Sequence, residues 1–150
     1  MRRLLLLIGL CFFGGAANAY DARLGDTLVE LRLSPSEQGL SFGQFLSPQV
    51  PVSVVAALSL SDGHGGASVG ALGMRVGYEW HQRGYAIVPR SSVELGMGFD
   101  RAQGVGALIG GRGGVVWYVI RAAGLGFDLG IHRRVGLFRV DAAISLVARF

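Results

Sequence analysis

The sequence contains no lysine, and arginine supplies all 14 of its basic residues. Charged residues make up only 16% of the chain, and the arginines are scattered along it rather than clustered. This distribution excludes the dense basic patch with which proteins bind nucleic acid. Cysteine occurs once, as Cys11. The rest of the chain therefore has neither a disulfide framework nor thiol chemistry.

Long hydrophobic runs are also absent beyond the first 19 residues. No later stretch approaches the roughly 18 apolar residues that a membrane-spanning helix needs, although 51% of the chain is hydrophobic. High hydropathy without a helical span leaves two explanations. Either the protein has a dry soluble core, or its apolar residues face lipid from the outside of a β-barrel.

The first 19 residues have the three parts of a secretory signal peptide. Met1 is followed by Arg2 and Arg3, then by an apolar stretch that includes Cys11, and then by a small-residue cleavage site at Ala17-Asn18-Ala19. We therefore predict a signal peptide over residues 1–19 and one barrel domain over residues 20–150, a length that suits a single domain.

Apolar residues alternate with small or polar residues along eight segments, and turn residues separate the segments. The predicted strands cover residues 26–33, 39–47, 52–61, 68–80, 85–99, 105–119, 125–132 and 138–150. A period of two is the pattern of a β-strand with two unlike faces. The sequence therefore predicts an all-β fold, an eight-stranded antiparallel up-and-down transmembrane β-barrel with lipid outside and a polar lumen.

Two of the segments are less regular. In the second, Gln44 falls on the apolar face and Phe45 on the small face, and a slip of one residue would exchange the two faces. In the fifth, Pro89 interrupts the alternation and predicts a bend or a lost ladder hydrogen bond. The alternation alone therefore does not decide the register of the second strand.

The face opposite the apolar side carries charges of both signs. An eight-stranded barrel has an interior just wide enough for side chains to fill, so charges there must be paired. In the opposite register each arginine would meet lipid, at a cost of about 2–4 kcal/mol near the midplane. The predicted lumen network consists of Glu30, Arg32, Arg75, Glu79, Glu94, Arg112, Asp128, Arg139, Asp141 and Arg149.

Aromatic residues gather at one end of the predicted barrel. If both termini lie on the periplasmic side, the periplasmic strand ends carry Tyr78, Trp80, Tyr85 and Trp117, as an interfacial girdle would. The outer loops are short, which disfavours an adhesive role. Candidates for contact with lipopolysaccharide phosphates at the outer rim are Arg101, Arg133 and Arg134, together with His64 and His132.

No catalytic, cofactor-binding or metal-binding residues are predicted. The stretch from Gly130 to Arg134 resembles the His-x-Ser signature of outer-membrane lipid A deacylases, but Arg134 stands where that signature has its serine nucleophile. The three histidines lie in or beside different turns and cannot converge on one metal. The glycines around Arg112 are not followed by the Gly-Lys-Ser/Thr of a phosphate loop.

The signal peptide, the eight alternating segments, the charged lumen and the terminal Phe150 resemble small Gram-negative outer-membrane barrels, such as the OmpA transmembrane domain and OmpX; the YfaZ-type proteins are another match. The resemblance implies export to the bacterial outer membrane. It also implies that Phe150 is an assembly signal read by the barrel-assembly machinery.

We expect a monomeric, non-catalytic barrel with a salt-bridged, plugged lumen, in contact with outer-membrane lipid and lipopolysaccharide. Its expected role is structural, or an interaction within the envelope. Two alternatives remain. A lipid A-modifying enzyme would depend on a serine such as Ser92 or Ser145. A soluble periplasmic barrel that binds an apolar ligand would need an apolar cavity.

Overall fold

The computed structural model describes residues 22–35, 37–59, 69–81, 85–100, 104–120, 122–134 and 137–150. These residues form a closed antiparallel barrel in which each strand pairs with the next and the last pairs with the first. The strands are β1 (Thr27–Leu33), β2 (Gln38–Ser47), β3 (Val50–Ser59), β4 (Val69–Glu79), β5 (Ile87–Asp100), β6 (Gly104–Ile120), β7 (Ala123–Arg134) and β8 (Leu137–Arg149).

The predicted eight-stranded barrel is therefore confirmed, and the strand ends differ from the prediction by at most a few residues. The largest differences are of two residues: β3 begins and ends two residues earlier than predicted, β5 begins two residues later, and β7 is longer by two residues at each end. The predicted signal peptide and the loop between β3 and β4 lie outside the described residues. No helix of the described residues is long and apolar enough to cross a membrane.

Large apolar side chains cover the outside of the barrel, because the alternation places them there along every strand. In β7, Phe127, Leu129 and Ile131 are exposed, while Asp128 and Gly130 between them are buried. A soluble barrel would hide its large apolar side chains. An exterior of this kind matches the apolar band that a transmembrane barrel presents to lipid.

Of the two registers left open for β2, the structure has the one in which Phe45 faces the lumen. Phe45 is fully buried and Gln44 faces outward, so the alternation continues unbroken from Gly39 to Phe45. A β-bulge follows Phe45 in the pairing with β3. The bulge lets β2 keep Phe45 inside while its last residues join the turn, since a bulge adds one residue to one strand only.

Pro89 does not interrupt β5. The strand runs through it with Pro89 opposite Val115, and the Pro89 carbonyl accepts a hydrogen bond of 2.9 Å from the backbone N–H of Trp80. Its side chain faces outward.

Each end of the barrel is named here after the part of the chain that lies there. The terminus end carries Thr27 and Phe150, which exchange two backbone hydrogen bonds of 3.0 and 3.1 Å. The distal end carries the turn between β1 and β2. At the terminus end the chain enters β1 through Gly25, whose φ of 88° suits glycine. Ala22, just before this turn, is buried at the terminus end of the barrel.

Candidate functional site

Glu30 lies at the centre of a group of charged side chains that spans the lumen. One of its carboxylate oxygens accepts a hydrogen bond of 2.8 Å from Arg75 on β4, and the other accepts one of 2.7 Å from Arg90 on β5. Because β1 and β5 stand on opposite walls of an eight-stranded barrel, the contact between Glu30 and Arg90 crosses the full width of the lumen.

Arg90 joins four strands. Besides Glu30 on β1, its guanidinium donates to both oxygens of Asp128 on β7 and, at 2.8 Å, to the hydroxyl of Ser145 on β8. A bidentate arginine–carboxylate pair of this kind satisfies both groups and fixes their mutual orientation. Arg90 thus holds β5 against the wall formed by β7, β8 and β1.

Further ion pairs continue from this centre towards the distal end. Arg75 also donates to Glu94 at 3.2 Å, and Arg112 approaches Glu94 at 3.7 Å. Arg32 donates to Glu37 at 2.6 Å. Together these residues form what is called here the lumen network: Glu30, Arg32, Glu37, Arg75, Arg90, Glu94, Arg112, Asp128 and Asp141. Each carboxylate in it has an arginine within ion-pair distance.

Glycines in the middle strand let two arginines reach acids that lie two strands away. Arg90 on β5 is paired in register with Gly114 on β6, which is paired with Asp128 on β7. The same arrangement recurs one strand further on, where Arg112 reaches over Gly130 to Asp141 at 3.2 Å. A side chain at the middle position would occupy the path of the arginine.

The space at these glycines is filled by the ion pairs themselves. A Cβ atom added to Gly130 would lie 2.7 Å from a carboxylate oxygen of Asp141 and 3.1 Å from the Arg112 side chain. At Gly39, an added Cβ would lie 3.3 Å from the guanidinium of Arg32. Such distances are too short for unstrained packing. The inward glycines therefore leave the space that the inward arginines and their acid partners occupy.

At the terminus end, a second layer combines a charge pair with apolar side chains. Arg149 pairs with Glu79, and its guanidinium lies over the rings of Phe45 and Tyr118, at 4.8 and 4.2 Å from their centroids. Cation–π contacts of this kind stabilise a buried arginine. The layer is completed by a buried apolar cluster of Ala22, Leu28, Phe45, Val88, Val116, Tyr118 and Val147.

Towards the distal end, Leu108 on β6 packs against Ala57 on β3 and Ala71 on β4, in a small buried cluster that bridges the lumen. Between the two apolar layers, a cavity of about 30 Å³ lies beside Glu30 and Arg75. It has room for about two water molecules.

The structure places all ten predicted network residues on the inward face, but it does not bring all of them together. Arg139 is half-buried near the distal end and makes no ion pair with another described residue. His132, a predicted rim contact for lipopolysaccharide, lies inside, with Nδ1 3.7 Å from a carboxylate oxygen of Asp141. The side chain of Phe150 is exposed at the terminus end.

Two members of the network escaped the sequence reasoning. Arg90 lies on the same inward-facing set of alternate residues in β5 as Glu94, and this alternation is the signal that could have identified it. Glu37 lies in the turn between β1 and β2, where strand alternation carries no information. Its contact with Arg32 could not have been found from a pattern of period two.

The described part of the chain offers little for catalysis or metal binding. No group of three or more His, Cys, Asp or Glu side chains among the described residues is arranged to hold a metal ion. Ser145 is engaged with Arg90, and Ser92 borders the central cavity. His132 points into the lumen, whereas a lipid deacylase needs its nucleophile and base at the lipid-facing surface.

Comparison with solved structures reveals the same architecture in transmembrane barrels. The chain is similar to the N-terminal β-barrel domain of Pseudomonas aeruginosa OprF, with a TM-score of 0.65 and 14% identity over 86% of this chain and 99% of that one. It is also similar to Neisserial surface protein A, with a TM-score of 0.60 and 11% identity over 84% and 94% of the two chains.

A de novo designed transmembrane β-barrel matches as well, with a TM-score of 0.58 and 14% identity over 87% of this chain and 99% of the design. No protein-family model matches the sequence, and no curated protein matches it. The resemblance to small outer-membrane barrels is thus confirmed in the fold. At these identities the likeness concerns the fold alone.

Replacement of Arg90 by methionine should destabilise the barrel by about 3–5 kcal/mol, because it leaves Asp128 and one oxygen of Glu30 buried without a cation. The matched control is Arg139→Met, which removes an arginine without a described ion pair and should cost less than about 1 kcal/mol. Urea unfolding in lipid vesicles, followed by tryptophan fluorescence, measures both. Equal losses would contradict the role given to Arg90.

Two neighbouring glycines of β6 provide a second test. An added Cβ at Gly114 would lie 2.8 Å from the Asp128 Cα, whereas at Gly113, on the outer face, it would meet nothing within 4 Å. Gly114→Ala should therefore destabilise the barrel by about 1–3 kcal/mol. Gly113→Ala should be neutral or stabilising by up to about 1 kcal/mol. The same unfolding assay compares them, and similar values for the two variants would refute the spacer role of Gly114.

Proposed function

We propose that the protein is a non-catalytic outer-membrane β-barrel whose lumen is closed by its own side chains, with a structural or envelope-interaction role. The observation that carries the proposal is the set of ion pairs from Glu30 to Arg75 and Arg90, which crosses the lumen at mid-height. A conducting pore needs a continuous water path. The cavity beside Glu30 and Arg75 has a volume of only about 30 Å³.

The layers on either side of the network support the same proposal. Phe45, Tyr118 and Arg149 pack together at the terminus end, and Leu108 reaches the opposite wall towards the distal end. Three successive layers of contacts, two apolar and one charged, leave little room for solute. A lumen filled in this way is expected for the smallest barrels.

The alternatives considered from the sequence find less support. An apolar ligand would have to enter a lumen in which Glu30, Arg75 and Arg90 are fully engaged with one another, whereas ligand cavities are mostly apolar. A lipid A-modifying activity would need a serine beside a histidine. Ser145 instead contacts Arg90, and His132 lies beside Asp141.

Conductance in planar lipid bilayers tests the closed lumen. The purified, folded protein should give no stable channel openings in molar salt. The double variant Arg75→Ala and Arg90→Ala, which removes both cations that contact Glu30 across the lumen, should show openings more often than the parent. Stable, salt-dependent channels from the parent protein would overturn the proposal.

Cell fractionation tests the membrane location. The protein should be recovered in the outer-membrane fraction and should migrate differently on a gel with and without boiling, because a folded barrel resists detergent until heated. Recovery in the soluble periplasmic fraction, without a mobility shift, would contradict the lipid-facing exterior.

A further inference from the structure

β1 is shorter than its neighbours and ends below the distal rim. It has seven residues, against 13 in β8. A strand of this length, tilted by about 40°, rises roughly 16–18 Å, which is less than the ~25 Å apolar band of a transmembrane barrel. Its last pair is Leu33 with Ile144. Among the described residues, positions 137–143 of β8 pair with β7 alone.

The missing length of β1 leaves a groove in the lipid-facing wall. The groove has a volume of about 410 Å³, and its lining includes Leu33, Pro35, Phe127, Ala142 and Ile144. Phe127, Ile144 and Leu33 stand side by side in the register of β7, β8 and β1. Beyond Ile144, where β1 has ended, the next outward residue of β8 is Ala142, whose side chain is small; the larger Val140 and Phe138 follow towards the distal rim.

The groove is suited to an acyl chain. Its volume falls within the range of small-molecule pockets, about 300–1,000 Å³. It opens on a wall whose exposed side chains are apolar, so the surrounding medium supplies hydrocarbon rather than water. The occupant must therefore be apolar over the length of the groove.

Arg133 lies on the same wall, nearer to the distal rim. It is exposed and stacks on the ring of Phe138 at 5.6 Å, and it has no ion pair with another described residue. Among the strand arginines whose side chains are described, Arg133 is the one that faces outward. It is six residues beyond Phe127 on β7, roughly 20 Å along the strand.

An outward arginine is tolerated only near the interface, where its cost in a barrel falls to about 0–1 kcal/mol. There it is a donor for phosphate, which the guanidinium binds in a bidentate manner. Phe138, which faces Arg133 in the register of β7 and β8, carries the guanidinium on its ring and so holds it on the outer wall. The apolar groove and Arg133 thus lie on the same outer wall, with the cation nearer to the distal rim than the groove.

We infer that the outer wall where β1 meets β8 and β7, called here the seam, binds one phosphorylated lipid. An acyl chain lies in the groove beside Ala142, and a phosphate binds at Arg133. The inference rests on the proposed outer-membrane location, which places the distal end in the outer leaflet. The lipid to which the site is assigned is therefore lipid A, the phosphorylated acyl-bearing part of lipopolysaccharide, rather than an anionic glycerophospholipid.

Native mass spectrometry of the purified barrel in detergent micelles, titrated with lipid A, tests the site. The parent protein should retain one lipid A molecule. Arg133→Gln and Ala142→Phe should each weaken binding by about tenfold, through the lost phosphate contact and the filled groove. The matched control is Ala56→Phe, which enlarges an exposed alanine on β3, between Leu40 and Leu72, and should bind as the parent does.

Three results would overturn the inference: unchanged binding by Ala142→Phe, unchanged binding by Arg133→Gln, or equal affinity for phosphatidylglycerol. Each variant is first checked for the heat-dependent gel shift, and Ala142→Leu with Ala56→Leu replaces a phenylalanine variant that does not fold. A closed barrel that binds no lipid A would refute the site alone. A conducting barrel that binds lipid A would refute the closed lumen alone.

Discussion

Glu30 must have cations around it, because a carboxylate buried at mid-height of a narrow barrel is removed from bulk water, and an unpaired ion there would cost several kcal/mol. Arg75 and Arg90 meet this requirement from two other strands, one at each oxygen. The same contacts draw the walls together across the lumen. In the closed lumen that we propose, the contacts that neutralise the buried charge are the same contacts that span the lumen.

The arginines can reach their partners only because particular positions lack side chains. Gly114 and Gly130 stand between an arginine and an acid in the register of three adjacent strands. In most strands an interior glycine weakens packing. Here the loss is offset, since the long arginine side chain fills the space that the glycine leaves. The high glycine content and the exclusive use of arginine for inward cations are therefore linked properties of this chain.

The fold could be predicted from period-two alternation, because lipid outside and a charged lumen inside enforce the same parity along β4, β6, β7 and β8. In β2 the parity was ambiguous at Gln44 and Phe45. It is decided by the pairing with β3 and by the Arg149 guanidinium that covers Phe45, neither of which is visible in the strand itself. Which inward charges pair could not be predicted, since Glu30 and Arg90 are 60 residues apart. The early end of β1 relative to β8 could not be predicted either, because it depends on the register between these two strands.

The most direct test of a network that crosses the lumen is a double-mutant cycle on Glu30 and Arg75, which lie on strands that are not neighbours. The free energy of unfolding in lipid vesicles would be measured for the parent, Glu30→Gln, Arg75→Gln and the double variant. Contact across the lumen predicts a coupling energy of about 1.5–3 kcal/mol between the two changes. Losses that add to within about 0.5 kcal/mol would show that the two side chains do not meet, and would contradict a lumen held closed by ion pairs.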